Sequence, residues 1–283
     1  MFSVKHGLYG LVTWISISSL PSGAAEQMSL PRADKHMVNV VKYFPDKECQ
    51  GVAIISHGAG GSEYGYTYLA NFLQQQNWLV LVVGHQESGS DVLKQLLRRQ
   101  GMIEALSEMV TTPSFYQARF MDIGVAQTWG KQHCAGQRQI MIGHSMGAAT
   151  TMLLAGAENN LNVDAPKLSF DAYIALSPQG VGDIFPKDAW RHISQPVLLL
   201  TGTKDRELHG SWQTRQDAFY SLPAGCKWLG VINGANHLNF AGKGFSQRTE
   251  FLVTQTIKAF IDGVKQQNCQ PTFQLENLTL KSK

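Results

Sequence analysis

With 283 residues, 43% of them hydrophobic and only 16% charged, the chain carries enough apolar surface for a folded domain with a sizeable core, which argues against intrinsic disorder. The formal net charge of +3 comes from 24 basic and 21 acidic residues scattered without basic runs. A phosphate backbone needs such runs to be neutralised, so no nucleic-acid partner is expected.

The first residues differ from the rest. Lys5 and His6 precede a largely apolar stretch from Leu8 to Leu20, followed by Pro21, Ser22, Gly23, Ala24 and Ala25. This is the pattern of a secretory signal peptide over residues 1–25, with a small-residue cleavage site near Ala25. The apolar part is about 13 residues long, against the roughly 20 that a bilayer span requires, so no stable membrane span is expected. Residues 26–283 contain no repeat, low-complexity stretch or Pro/Gly/Ser-rich linker, and read as a single domain exported to the periplasm or beyond.

Along that domain, apolar and β-branched runs recur at Val52 to Ser56, Leu79 to Val83, Ile140 to Ile142, Ala172 to Leu176, Val197 to Thr201 and Trp228 to Ile232. Short continuous runs of this kind suit strands buried on both faces. The segment Met37 to Phe44 adds antiparallel edge strands. Helical patterns lie between the runs, at Tyr66 to Gln76, Val92 to Val110, Ala118 to Gln132, Gly147 to Ala157 and Arg248 to Val264. Alternation of strand and helix predicts an α/β fold with a mainly parallel central sheet and helices on both faces. The connection from Leu176 to Val197 spans only about twenty residues, which leaves no room there for a large lid domain.

Three motifs carry chemistry. Gly143-His144-Ser145-Met146-Gly147 follows the strand Ile140 to Ile142 and precedes a helix, the context in which G-x-S-x-G becomes a nucleophile elbow. Side chains at the flanking glycines would collide with the neighbouring backbone, and the strained turn lifts the Ser145 hydroxyl above the sheet edge. A serine hydroxyl needs a base. Of the nine histidines, His237 lies just past the last buried strand, in Gly234-Ala235-Asn236-His237-Leu238, and Asp205 lies just past the strand before it. Ligand sites of open α/β sheets sit at these carboxyl ends of strands, and the chain order Ser, Asp, His suits this architecture. Asp183, after the Leu176 strand, is the reserve acid, whereas Asp171 precedes a strand and points to the opposite end; His192 and His209 lack a strand-end placement, and the His144 ring is expected to pack or hydrogen-bond locally. The third motif, Ser56-His57-Gly58-Ala59-Gly60-Gly61-Ser62, closes the first central strand with a Gly-rich loop that brings backbone amides close to a developing oxyanion. One donor is assigned to Met146 and the other to Ala59 or Gly60. The loop is neither G-x-G-x-x-G nor a P-loop, and no cysteine pair shows metal-ligand spacing, so neither cofactor nor metal is expected.

Taken together, the His57-Gly58-Ala59-Gly60-Gly61 loop, the Ser145 elbow, Gly202-Thr203-Lys204-Asp205 and Asn236-His237 resemble the α/β-hydrolase superfamily over nearly the whole mature chain. Within it the chain is most similar to the dienelactone hydrolase-like, chlorophyllase-like and platelet-activating-factor acetylhydrolase-like group, although dienelactone hydrolases proper use a Cys where this chain has Ser145. The resemblance implies hydrolysis of a small-molecule or lipid-like carboxylic ester through an acyl-enzyme, without cofactor. An amidase or peptidase with the same triad, and a non-catalytic binding protein on the same fold, are the alternatives. Oligomeric state is not legible. In this fold the strands that follow Cys49 and Cys134 are neighbours, and Cys226 opens the last strand beside the helix that Cys269 follows. The expected pairs are therefore Cys49–Cys134 and Cys226–Cys269, in keeping with an oxidising compartment.

Overall fold

The computed structural model describes residues 25–283, so the apolar segment read as a signal peptide lies outside the described residues. The strands in chain order are β1 (Glu26–Pro31), β2 (Met37–Tyr43), β3 (Gly51–Ser56), β4 (Trp78–Val83), β5 (Arg138–His144), β6 (Ala172–Leu176), β7 (Val197–Lys204), β8 (Lys227–Asn236) and β9 (Leu278–Ser282). They form one sheet in the spatial order β1-β2-β4-β3-β5-β6-β7-β8-β9. The run from β4 to β8 is parallel, while β1, β2 and β9 are antiparallel additions at the two edges.

The central strands consist almost wholly of buried residues: Gly-Val-Ala-Ile-Ile-Ser in β3 and Trp-Leu-Val-Leu-Val-Val in β4. Because successive side chains alternate between faces, each strand supplies two cores. Ile54, Leu81, Met141, Tyr173 and Leu199 belong to the core on one face; Ala53, Ile55, Val80, Ile142 and Ile174 belong to the core on the other. Helices α4 (Pro113–His133), α5 (Met146–Leu154) and α6 (Asp217–Ser221) cover the first face, and α1 (Thr67–Gln75) and α7 (Gln247–Gln266) the second. This is the two-sided α/β arrangement that the strand runs predict.

Two local readings are corrected. The helical pattern from Val92 to Val110 is two helices, α2 (Ser90–Leu97) and α3 (Met102–Thr111). Arg99 N–H turns back to Leu96 O, Gly101 is extended, and the two helices close on a small core of Leu96, Ala105 and Met109 against Ala59 and Leu93. In one continuous helix Leu96 and Ala105, nine residues apart, would face about opposite sides, so it is the break that brings both onto one small core. Strand β9 is an addition to the predicted strands, since five residues with alternating burial carry little signal; it pairs Leu280 opposite Gly230 at the β8 edge.

The disulfides are Cys49–Cys134 and Cys226–Cys269, with Cα separations of 5.9 and 5.2 Å. The first ties the entrance of β3 to the end of α4, and the second ties the entrance of β8 to the segment after α7. Among the described residues no helix is long and apolar enough to cross a membrane.

Candidate active site

Four parallel strands end at one edge of the sheet with the loops that matter. After β5 the chain turns abruptly: Ser145 has φ 54° and ψ −121°, a conformation that costs a non-glycine residue energy and persists only where its surroundings enforce it. The flanking glycines enforce it here. A Cβ on Gly143 would lie 2.0 Å from the Gly147 carbonyl oxygen, and one on Gly147 would lie 2.1 Å from the carbonyl oxygen of Ser56 on the neighbouring strand. Helix α5 starts at once, with Met146 as its first residue and Ala148 and Ala149 fully buried against the sheet. Neither the Met146 amide nor the Ser145 hydroxyl has a hydrogen-bond partner among the described residues.

Asp205 follows β7 and is completely buried. Its Oδ1 stands 2.9 Å from His237 Nδ1 and 3.0 Å from Arg215 Nε, and its Oδ2 accepts from the Thr201 hydroxyl at 3.0 Å. Burial by itself pushes this carboxyl up, but the hydrogen bond from His237 and the charge of Arg215 outweigh it and hold Asp205 below the usual carboxylate range. His237 opens a 3-10 turn, His237–Ala241, whose capping box pins it: Asn236 Oδ1 accepts from the Leu238 and Asn239 amides, and Asn239 Oδ1 accepts from the Asn236 amide. Arg215 Nη2 also lies 3.2 Å from Nδ1, but the shorter contact is to Asp205 Oδ1; with Nδ1–H given to that carboxylate, Nε2 is left as the acceptor. His237 and Ser145 line the same cavity, of about 690 Å³, together with the loop Gly58–Gly61. One wall is apolar, from Leu93, Met102, Leu106 and Val110 of the α2–α3 pair, and the rim carries Arg206, Glu207 and Lys243.

The structure thus brings Ser145, Asp205 and His237 together. Asp183 also reaches the cavity lining but is exposed and makes no hydrogen bond to His237 among the described residues. Asp171 sits at the other end of the sheet and accepts from the Gln139 amide at 2.7 Å. His192 contacts Glu158 on the surface, and His209 lies 3.4 Å from the Ser107 hydroxyl at the cavity rim.

The local packing expected of His144 is replaced by two long-range bonds. Its Nε2 lies 3.1 Å from the His237 carbonyl oxygen and its Nδ1 2.9 Å from the Tyr66 hydroxyl, which in turn accepts from the Gly58 amide at 3.2 Å. A carbonyl only accepts and an amide only donates, so the proton sits on Nε2 and Tyr66 O–H donates to Nδ1. Burial, reinforced by the nearby His237, keeps the ring neutral by holding its pKa well below the ordinary histidine value.

Arg215 escaped the sequence reading altogether. It is buried at the end of a polar stretch, on the 3-10 turn Thr214–Gln216, and its guanidinium donates to the carbonyls of Ser177, Pro178, Asp205 and Arg206, which gathers the loops after β6 and β7. Polar neighbours and a lone positive charge are the ordinary signature of a surface turn, so no sequence signal marked it. In the Gly-rich loop, Gly58 N–H is taken by Tyr66, Gly60 N–H by Ser88 O at 3.0 Å and Gly61 N–H by Gly58 O at 3.1 Å. Within Gly58–Gly61, the stretch that lines the cavity, Ala59 is the residue whose amide has no acceptor among the described residues.

No protein-family model and no curated protein sequence matches the chain. Solved structures do. A putative dienelactone hydrolase from Klebsiella pneumoniae subsp. pneumoniae MGH 78578 is similar at 17% identity with a TM-score of 0.60, over 84% of this chain and 98% of that one. Est1E from Butyrivibrio proteoclasticus is similar at 17% identity with a TM-score of 0.57, over 87% of this chain and 100% of its own. An alpha-beta serine hydrolase homologue from Coxiella burnetii has 14% identity and a TM-score of 0.55, over 82% and 97% of the two chains. Sheet order, helix placement and these likenesses agree that the chain has the α/β-hydrolase fold.

Proposed function

We propose that the protein is an exported serine hydrolase that cleaves carboxylic esters through an acyl-enzyme. The observation that carries this reading is the 2.9 Å hydrogen bond between buried Asp205 and His237 Nδ1, with a strained Ser145 lining the same cavity. Ser145 Oγ attacks the ester carbonyl while His237 Nε2 takes its proton. His237 then returns the proton to the leaving alcohol, and water repeats the cycle on the acyl-enzyme. Asp205 stays ionised throughout, because its environment favours the charged form, and holds the imidazole in one tautomer. The tetrahedral oxyanion meets the free amides of Ala59 and Met146, the latter at the positive end of α5. None of these steps calls for a metal or an organic cofactor.

The apolar wall from α2 and α3 supports an acyl chain, hence a small-molecule or lipid-like ester, and the hydrolase and esterase neighbours support the reaction class. Two disulfides and the amino-terminal signal pattern support export. The test is hydrolysis of a series of acyl esters alongside matched anilides, with Ser145→Ala as control. Esters are expected to turn over, anilides to lag, and Ser145→Ala to lose activity by several orders of magnitude with an unchanged fold. Retained turnover in Ser145→Ala refutes the nucleophile.

A further inference from the structure

Directly behind the Gly-rich loop, on the side away from the cavity, lies a fully buried polar network that the chemistry above does not use. Arg119 of α4 is wholly buried, and its guanidinium donates to Ser88 Oγ at 2.8 Å, Ser56 Oγ at 3.2 Å, the His57 carbonyl at 2.6 Å and the Gly58 carbonyl at 3.4 Å. Ser56, His85 and Asp122 repeat the order of a catalytic triad, with Ser56 Oγ 2.8 Å from His85 Nε2 and His85 Nδ1 2.8 Å from Asp122 Oδ2. They are nevertheless sealed from solvent, and Ser56 Oγ is claimed by Arg119, so this set is a support and not a second nucleophile.

Every proton in the network has one consistent place. Asp122 accepts from His85 Nδ1–H and from Arg32, which leaves His85 Nε2 to accept the Ser56 hydroxyl. The His85 backbone N–H donates to His57 Nε2 at 3.0 Å, so the His57 proton must be on Nδ1, where it is donated to the Gly58 carbonyl at 2.7 Å. The Gly58 carbonyl therefore receives His57, Arg119 and the Gly61 amide together. That carbonyl and the Ala59 N–H belong to one trans peptide plane, in which the two point in opposite directions. Holding the oxygen down onto Arg119 and His57 turns the amide up, toward the cavity that Ala59 and Ser145 line.

We infer that Arg119 and His57 are positioning residues that preorganise the Ala59 amide as oxyanion donor without touching substrate. The inference rests on the proposed role of Ser145 and goes beyond it, because it assigns the aim of the oxyanion hole to residues on α4 and beneath the loop. Preorganisation of this kind matters because a donor that need not reorient as charge develops stabilises the transition state selectively.

The experiment compares oxoesters with the matching thionoesters, whose sulfur is a poor hydrogen-bond acceptor, in wild type, Arg119→Lys, His57→Leu and His57→Gln. Glutamine retains one donor for the Gly58 carbonyl and one acceptor for the His85 amide. Arg119→Lys and His57→Leu are expected to lower kcat for oxoesters by up to about 10²–10³-fold, the loss seen when an oxyanion donor is removed, with little change in KM. The preference for oxo over thiono substrate falls in step, and His57→Gln restores much of both. Folded variants that keep the wild-type kcat, or lose kcat with the oxo-to-thiono preference intact, overturn the inference. If Arg119→Lys does not fold, the two His57 variants decide on the same criteria. A wild-type protein that neither hydrolyses esters nor reacts at Ser145 with a fluorophosphonate refutes the proposed function itself; an active wild type with unaffected variants refutes only the positioning role.

Discussion

Lowering the pH from about 7 to about 5 should destabilise this fold steeply, because three imidazoles are sealed inside it in the neutral form. His57, His85 and His144 are buried, and burial, aided by neighbouring positive groups, holds each pKa well below the ordinary value of 6.5. In the unfolded chain all three bind protons as the pH falls through that value, whereas in the folded chain none does, so stability is lost on the acid side. Asp122 works the other way. Burial, only partly offset by Arg32 and Arg119, pushes its carboxyl up to about 6, so the folded state takes up one proton that the unfolded state does not bind until the pH nears 3.8. The balance is about two extra protons on the unfolded state near pH 6, so at about 1.4 kcal/mol per proton per pH unit the fold loses roughly 3 kcal/mol per unit there; Glu207, whose carboxyl burial also pushes up, lessens the loss toward pH 5. That is a large part of the 5–15 kcal/mol typical of a domain. Asp205 and Asp34, both held below 3.8, contribute stability that is lost only at lower pH and leave this window untouched. Urea unfolding at a series of pH values measures the effect, as a falling midpoint at constant m. Replacing His144 with Gln removes one proton from the balance and should shallow the slope by about 1.4 kcal/mol per pH unit. A stability that stays flat from pH 7 to 5 refutes the reasoning.

Three further outcomes are expected. Asp205→Asn should lose most esterase activity through a misoriented or wrong-tautomer imidazole while Asp183→Asn stays near wild type, and the reverse ranking in kcat would move the acid to Asp183. Gly147→Ala should destabilise by about 3 kcal/mol or more, since its Cβ would stand 2.1 Å from a backbone oxygen that cannot yield; wild-type stability in denaturant titration would contradict the elbow packing. Reducing both disulfides frees loops of 85 and 43 residues and should cost up to about 4 kcal/mol for each bridge, read as a fall in the thermal midpoint with dithiothreitol. An unchanged midpoint would show that the unfolded chain is already restricted without them.

What could be read from the sequence was whatever physics acts over a few residues. Buried strands announce themselves as unbroken β-branched runs, and the elbow announces itself because only glycine tolerates the contacts at positions 143 and 147. Those strand ends mark Ser145, Asp205 and His237 as the candidate site, and the cysteine pairs seen in the structure follow once neighbouring strands are assumed. The break between α2 and α3 did not follow, since its cause is a small core closed against Ala59 from another part of the chain. Nor did the choice of Ala59 over Gly60 as the free amide, which depends on Ser88 and Tyr66 taking the neighbouring donors. Arg119 and Arg215 were hidden for a related reason: a charged side chain in a polar or mixed segment reads as a solvated face until the tertiary structure seals it among carbonyl acceptors from other loops. Local sterics and periodicity thus determined the strands and the candidate site residues at their ends. Which groups hold them in aim was decided only by the tertiary structure, because hydrogen bonds across 28 to 93 residues of chain leave no spacing for a sequence to display.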